Sequence, residues 1–413
     1  MKKLVATILA LVMAIGLCSV SWAEERVVPV YPEGVTTSSF PESAPYTKPG
    51  TNTTEYAAAV VAYVDASGAV KYAAEVNYAI AAGATEVYMK ENANGRLFAY
   101  SDFIGQENRT SDLTKNLTIY GNGADFKHGE IAMNTTDAGK AANITVTVYD
   151  AKNIKVWGNT PNVGVTQTIV MENCHNEGQG AAQSKGEMLL LWGESGNVNA
   201  TFTRCSVKSA DLGIYYGCDG ALNVTGSQFS ECATGIKISY KGSGSRTDTI
   251  TNCTFTGCGI AEGSLVNDSA AIKMKNGGSG TLTATIDNAT ITGTVGGKDI
   301  QIESKTSDKP AGVTVKNTVA SVSVTKPGAT DAGVTEVKSV TKNNTLTIAA
   351  DGSAKVEEIP SSGGYYYYQP TTDTKADDTK GSPKTFDAGV GIYAVTAVLS
   401  VTGMAWAAKK RGN

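Results

Sequence analysis

The residues best able to do chemistry are carboxylates and lysines at matching places in a repeated pattern. Asp211, Asp268 and Asp299 stand beside comparable predicted strands, and Lys237 and Lys273 share one slot within such strands. Clustered carboxylates can hold calcium while a base removes a proton, and carboxylates about 5–10 Å apart can hydrolyse a glycosidic bond. Asp211, Lys237 and Lys273 are therefore weak catalytic candidates. The alternative is that these charges fill solvent-facing positions of a sheet.

The same slot also predicts a binding surface. Tyr215 precedes the two lysines in the pattern and Gln301 follows them, so Tyr215, Lys237, Lys273 and Gln301 form one ligand-facing stripe. A cationic and aromatic stripe suits an anionic glycan. The two histidines are isolated and no C-x-x-C motif occurs, so we expect no metal site and no cofactor. Calcium would be needed only if the protein were a lyase.

The elements that carry these residues repeat along the chain. One unit places apolar residues five positions apart around a small residue, often Cys, and it starts at positions 202, 224, 250 and 286. A second short strand follows each unit, at 214–216, 236–238, 272–274 and 300–302. Two strands that keep their register while the loops between them vary in length predict a solenoid, in which each turn bonds only to its neighbours.

Residues 58–325 resemble the right-handed parallel β-helix of the pectate-lyase-like superfamily. The resemblance rests on this repeat, on a predicted capping helix near 71–82 followed by a strand at 85–89, and on the early Gly-Asn-Gly turn within 117–124. It implies an all-β solenoid whose open end is closed by a C-terminal β segment or cap at 326–360. The structural alternative is a β-sandwich, whose strands would pair as hairpins.

Five of the seven cysteines occupy two slots of the repeat. Cys174, Cys205 and Cys253 share one, and Cys232 and Cys258 share the other. Free Cys packs as a small apolar residue, so a ladder of reduced thiols is the favoured interpretation. Export into an oxidising place would instead favour a disulfide, and Cys232–Cys258 is the pair best placed to form one.

The N-terminus predicts export. Residues 1–23 have a basic start, a short apolar run and a small-x-small sequence that ends at Ala23, which together indicate a secretory signal peptide cleaved after that residue. The apolar run is shorter than the ~20 residues that span a bilayer. Residues 24–57 are rich in Pro and Thr and predict a flexible leader.

The C-terminus carries a three-part pattern in residues 382–413. An uncharged span at 388–408 is followed by a basic tail, and a short motif precedes it: Ser382, Pro383, Lys384, Thr385 and Phe386. The pattern resembles the cell-wall sorting signal of Gram-positive surface proteins, which implies that a sortase joins Thr385 to peptidoglycan. Phe386 stands where the pattern has Gly or Asn, which leaves the sortase class open. A plain membrane anchor is the alternative, and residues 361–381 would form a flexible wall-spanning linker.

The composition of the chain argues against two classes of protein. The formal net charge is −4 and the apolar fraction is 41%, which argue against a nucleic-acid partner and against global disorder. Together with the two termini, the sequence predicts a protein that is secreted and anchored to the cell wall on the extracellular face. Its β-helix would serve adhesion or glycan and host-surface binding, with sortase and peptidoglycan as partners. The alternatives are a wall-attached polysaccharide lyase or glycoside hydrolase, and a passive stalk.

Overall fold

The fold is known from a computed structural model. It describes residues 28–48, 51, 53–98, 108–180, 186–193, 196–260, 269–297, 299–304, 311–325, 336–349 and 353–358. All of these belong to the unit Met1–Ser361. The predicted signal peptide, linker and sorting signal lie outside the described residues. Within the described part, no helix is long and apolar enough to cross a membrane.

The first described residues are folded, contrary to the predicted flexible leader. Strands β1 (Ala44–Lys48) and β2 (Thr53–Ala57) pair antiparallel. Phe40 and Ala44 are buried in one apolar cluster with Tyr88, so this segment covers part of the body behind it. Burial of these side chains supplies the stabilisation that a Pro-rich leader was expected to lack.

The predicted helix at 71–82 is shorter in the structure. Strand β4 (Val70–Ala73) pairs antiparallel with β3 (Val61–Val64), and α1 follows at Val76–Ala81. The alternating burial of β4 explains the difference, since Val70 and Tyr72 lie on one side of a strand. Val76 and Ala79 of α1 join the main core. One further helix, α2 (Asp137–Lys140), was not predicted.

Most of the remaining strands form three ladders, and two long strands, β6 (Leu117–Met133) and β7 (Ile144–Gly158), contribute to all three. The first ladder comprises β5 (Glu86–Met89), the starts of β6 and β7, β8 (Thr166–Glu172), β11 (Asn197–Thr203), β14 (Leu222–Thr225), β17 (Ser245–Thr251), β20 (Thr281–Asp287) and β23 (Ala311–Lys316). The second comprises the middles of β6 and β7, β9 (His175–Glu177), β12 (Ser206–Lys208), β15 (Gln228–Ser230), β18 (Thr254–Thr256) and β21 (Thr290–Thr292). The third comprises the ends of β6 and β7, β10 (Leu189–Leu191), β13 (Leu212–Tyr216), β16 (Thr234–Tyr240), β19 (Ala270–Asn276), β22 (Ile300–Ser304) and β24 (Ala320–Thr325).

The pairing within these ladders is parallel. Among the described strands from β6 to β24, each pairing joins strands that run in the same direction. The β-sandwich alternative required hairpin pairing and is therefore wrong. Three antiparallel strands follow: β25 (Glu336–Val340) pairs with β24, β26 (Asn344–Ile348) pairs with β23, and β27 (Ala354–Glu358) pairs with β26. They lie within the predicted β segment at 326–360. The described chain is thus nearly all β, in one large and mostly parallel sheet.

The register confirms the sequence repeat. Phe202, Val224, Ile250 and Ile286 are successive partners in the first ladder. Five residues after each of them stand the second-ladder partners, namely Val207, Phe229, Phe255 and Ile291. The rings of Phe229 and Phe255 stack at 5.1 Å between centroids. Like side chains therefore stack on like neighbours in the core.

A left-handed residue turns the chain between the first and second ladders. Asn173, Arg204, Gly226, Asn252 and Asn288 hold this corner, with φ between 51° and 59°. Asn and Gly tolerate this region best, which explains why four of these five corners carry one of the two residues.

The small residue that follows the corner points inward. The Cys205 and Cys253 thiols, for example, donate to carbonyls of their own turn and of the preceding one. All six cysteines of the described residues are free and buried. The side chains of Cys232 and Cys258 are joined by a hydrogen bond. Their disulfide stays a prediction.

Candidate binding face and cleft

The structure brings the four stripe residues into one row. Tyr215, Lys237, Lys273 and Gln301 are successive register partners on β13, β16, β19 and β22. Their neighbours Ile214, Ile236, Ile272 and Ile300 are buried in the core. Because side chains alternate along a strand, the row lies on the outward side of the third ladder, with about 4.8 Å between strands.

The two lysines of the row differ in exposure. Lys237 is half-buried, and its Nζ lies 5.7 Å from the centroid of the Tyr215 ring. Lys273 is only 2% exposed and its Nζ lies 3.0 Å from Glu303 Oε1. Strands β13 and β19 are buried on both faces over most of their length. Lys273 is therefore an ion-pair partner within the body rather than an open cation.

Aromatic side chains extend the row in the other direction. Tyr215 is preceded by Leu190 on β10 and by Trp157 on β7, and these side chains form an apolar cluster separate from the core. Trp192 is 41% exposed, and its ring lies 4.6 Å from that of Tyr215. We call Trp157, Trp192, Tyr215 and Lys237 the aromatic row. Trp192 is its most accessible member.

The predicted carboxylates do not join this row as an open catalytic edge. Asp211 is fully buried just before β13, and its charge acts on the buried Glu187. Asp299 accepts from the Ser321 amide at 2.8 Å and from the Thr294 hydroxyl, which fixes a turn. Asp268 lies outside the described residues.

A polar cleft of about 390 Å³ lies next to the aromatic row. It is lined by Asn108, Lys127, His128, Glu130, Asn153, Ile154, Lys155, Asn176, Gly186 and Glu187. Glu130 and Lys155 are register partners two residues before Ala132 and Trp157, so they share the outward side with Trp157. Arg109 joins the two regions, because it bonds to Glu130 and its guanidinium lies 4.6 Å from the Trp157 ring centroid.

The charges of the cleft form a chain of ion pairs. Arg109 Nε donates to Glu130 Oε2 at 2.7 Å, and Lys155 Nζ lies 2.7 Å from Glu130 Oε1. The same ammonium lies 3.6 Å from Glu187 Oε2. One lysine therefore links two carboxyl groups that sit in different surroundings.

Those surroundings move the two carboxyl pKa values apart. Burial would raise the pKa of Glu130, but the hydrogen bonds and charges of Lys155 and Arg109 outweigh it and hold that pKa below its usual value. Burial raises the pKa of Glu187, the nearby charge of Asp211 raises it further, and Lys155 compensates only in part. Glu130 is the ionised partner, and Glu187 is the group that holds its proton more strongly.

The rim of the cleft has an unusual backbone. Lys127 and His128 are consecutive residues with φ of 51° and 62°, and the register of β6 against β7 shifts between Asp125 and Gly129. Such a bulge re-aims side chains, and left-handed non-glycine residues cluster at functional sites. Lys127 Nζ is paired with Asp125 at 2.8 Å.

The sequence alone did not identify the cleft. Arg109, Glu130, Lys155 and Glu187 stand outside the repeat, so no slot marks them. The alternation within β6 and β7 could have indicated two of them. Glu130 stands two positions before Ala132 and Lys155 two positions before Trp157, so each shares the outward side of its strand.

Neither a metal-binding group within the described residues nor a known related protein identifies the function of this face. Among the residues that the structure describes, no group of three or more His, Cys, Asp or Glu side chains is placed to hold a metal ion. Comparison with models of known families, with curated proteins and with solved structures finds no match for this chain.

Proposed function

We propose that this chain is a surface protein of a Gram-positive cell wall, whose body is a right-handed parallel β-helix that binds anionic glycans. The termini support export and anchoring, because 1–23 resembles a signal peptide and 382–413 resembles a sorting signal. The three parallel ladders support a solenoid with three strands per turn. The signal for attachment would be read by a sortase and the anchor would be peptidoglycan.

The aromatic row is the observation that carries the binding proposal. Trp192 stands exposed against Tyr215, and Lys237 Nζ lies 5.7 Å from the centroid of the same Tyr215 ring. Aromatic faces stack against the apolar faces of sugars, and a neighbouring ammonium attracts an acidic group. A glycan on this face would meet Trp192 and the half-buried side chains of Trp157 and Lys237.

The binding test uses the full-length protein and two variants. We expect Trp192→Ala and Lys237→Gln each to weaken binding of an acidic oligosaccharide at least tenfold, as measured by calorimetry. Val163→Ala is the matched control, because Val163 is also an exposed apolar side chain. Equal affinities for wild type, Trp192→Ala and Val163→Ala would contradict the proposal.

The anchoring test is mass spectrometry of protein released from the cell wall. We expect the mature chain to begin at Glu24 and to end at Thr385 joined to a wall peptide. A chain that retains residues 388–408 would contradict covalent attachment and support a plain membrane anchor.

A second candidate function is cleavage of a polysaccharide, as a lyase or hydrolase. The opposite pKa shifts of Glu130 and Glu187 favour it, since such pairs can serve as base and acid. Glu130, however, is held by two cations, and the Glu187 side chain is fully buried. Release of reducing ends by wild type but not by Glu130→Gln would support this candidate. A passive stalk would show neither binding nor cleavage.

A further inference from the structure

We propose that Glu187 is a pH gate for glycan binding: its protonation removes one negative charge from the cleft beside the aromatic row, which strengthens the binding of anionic ligands in acid. This inference rests on the proposed glycan-binding function and names how the same face is regulated. It does not require Glu187 to touch the ligand. Glu187 acts as a positioning group through the ammonium of Lys155.

Glu187 is more deeply buried than the two cations of the cluster, Lys155 and Arg109. The side chain of Glu187 is 0% exposed, whereas that of Lys155 is 13% exposed and that of Arg109 is 34% exposed. Neither carboxylate oxygen of Glu187 has a hydrogen-bond partner within the described residues, and Lys155 Nζ lies 3.6 Å from one of them. The charge state of Glu187 therefore acts mainly on Lys155.

The charge balance decides the direction of the effect. Protonation of Glu187 removes one negative charge from the cluster that it forms with Lys155, Glu130 and Arg109. Ionisation of Glu187 restores that negative charge. Charges within a few ångströms in a sheltered cleft are screened less than charges in bulk solvent. An anionic ligand therefore gains attraction when Glu187 takes up its proton.

Other titratable groups around the cleft have identifiable effects. Asp211, which precedes β13, raises the pKa of Glu187 and so widens the pH range in which the gate is protonated. Lys127 and His128 line the rim, and Lys127 is paired with Asp125. Protonation of His128 would add a positive charge in the same direction, so its contribution has to be measured separately.

The experiment measures affinity against pH for a sulfated oligosaccharide, whose charge does not titrate between pH 4 and about 9. The unsulfated parent is the uncharged control, and full-length wild type is compared with Glu187→Gln, Asp211→Asn and His128→Gln. We expect wild-type affinity to fall about fivefold as Glu187 ionises, in line with one unit charge near a protein surface. Glu187→Gln should keep the acid-side affinity throughout. Asp211→Asn should move the transition to lower pH, because a repulsive charge is removed.

The outcomes of this experiment separate the pH gate from glycan binding itself. An equal pH slope in wild type and Glu187→Gln overturns the gate and leaves glycan binding intact. A flat profile in His128→Gln assigns the pH dependence to His128 and also overturns it, as does an equal slope with the unsulfated parent. No binding by any variant at any pH overturns the proposed function and the gate together. Thermal unfolding of each variant shows whether it is folded. If Glu187→Gln does not fold, the shift of the binding transition in Asp211→Asn still tests the gate.

Discussion

The regular middle strands and the irregular early strands of this large parallel sheet are packed in different ways. From β11 to β21 the inward slots repeat and the strands of the first two ladders stay in register. Between β6 and β7 the register shifts twice, and two residues of β6 at the rim are left-handed. Glu130 of β6 and Lys155 of β7 also form a chain of ion pairs with Arg109 and Glu187 from neighbouring loops. The repeat supplies stability, and side chains for chemistry collect where the repeat is interrupted.

One charged pair lies in the core of the regular strands. Arg246 and Asp248 are fully buried on the inward side of β17, where neighbouring turns carry apolar residues. Arg246 also lies 3.9 Å from the Tyr216 ring centroid and donates to the Cys218 carbonyl. Burial raises the pKa of Asp248 although the charge of Arg246 opposes that shift. This pair is closed off from solvent, and Arg246 Nη2 has no hydrogen-bond partner within the described residues, whereas the cleft charges face solvent in part.

The largest expected effect is in the repeated core. Phe229→Ala removes a buried ring that stacks on Phe255, and it should lower the free energy of unfolding by about 4 kcal/mol. Chemical denaturation followed by circular dichroism measures this. Gln228→Ala, at the adjacent outward position, should change stability by less than about 0.5 kcal/mol. Similar losses for both variants would mean that the inward slots do not carry the stability.

The buried ion pair should come next. Asp248→Ala leaves the Arg246 charge uncompensated and removes an acceptor from the Leu222 amide, so a loss of about 3 kcal/mol is expected. Arg204→Ala breaks a comparable pair with Glu172 at the surface and should cost less than about 1 kcal/mol. Calorimetric unfolding of both variants compares them directly. Equal losses would contradict the distinction between buried and exposed pairs.

The corner residues should have a smaller effect. Asn252 has a φ of 55°, and its side chain accepts from Asn288 Nδ2 at 2.7 Å. Asn252→Ala should cost about 1–2 kcal/mol because a left-handed conformation is strained for alanine. Asn252→Gly keeps the backbone relaxed and should cost less. Thermal melting of the two variants tests the corner, and a reversed order would contradict it.

The smallest expected effect is a pH dependence of stability at the cleft. The native state raises the pKa of Glu187 above its unfolded value, so between these two values the native state holds a proton that the unfolded chain has released. Stability therefore falls as pH rises through that window. Glu187→Gln should remove this part of the slope in denaturation curves recorded from pH 4 to about 8. An unchanged slope would show that Glu187 does not titrate in this range.

Much of the body could be predicted from its spacing. The aligned positions at 202, 224, 250 and 286 and the strands at 214, 236, 272 and 300 are register partners in the structure, because stacked turns require like residues at inward slots. The stripe from Tyr215 to Gln301 followed from the same argument. The predicted helix at 71–82 was too long because pairing with β3 outweighed helical spacing in Val70–Ala73.

The amino-acid sequence determined the inward and outward sides of the repeated strands, since alternation and loop spacing are local properties. Only the tertiary structure decided which outward residues remain accessible: Lys237 and Trp192 do, whereas Lys273 and Asp211 are buried. It also decided that Glu130, Lys155 and Glu187 meet in one cleft, with Arg109 bonded to Glu130. These residues lie on separate strands and loops with no common spacing, and their shared charge chemistry exists only once the turns have stacked.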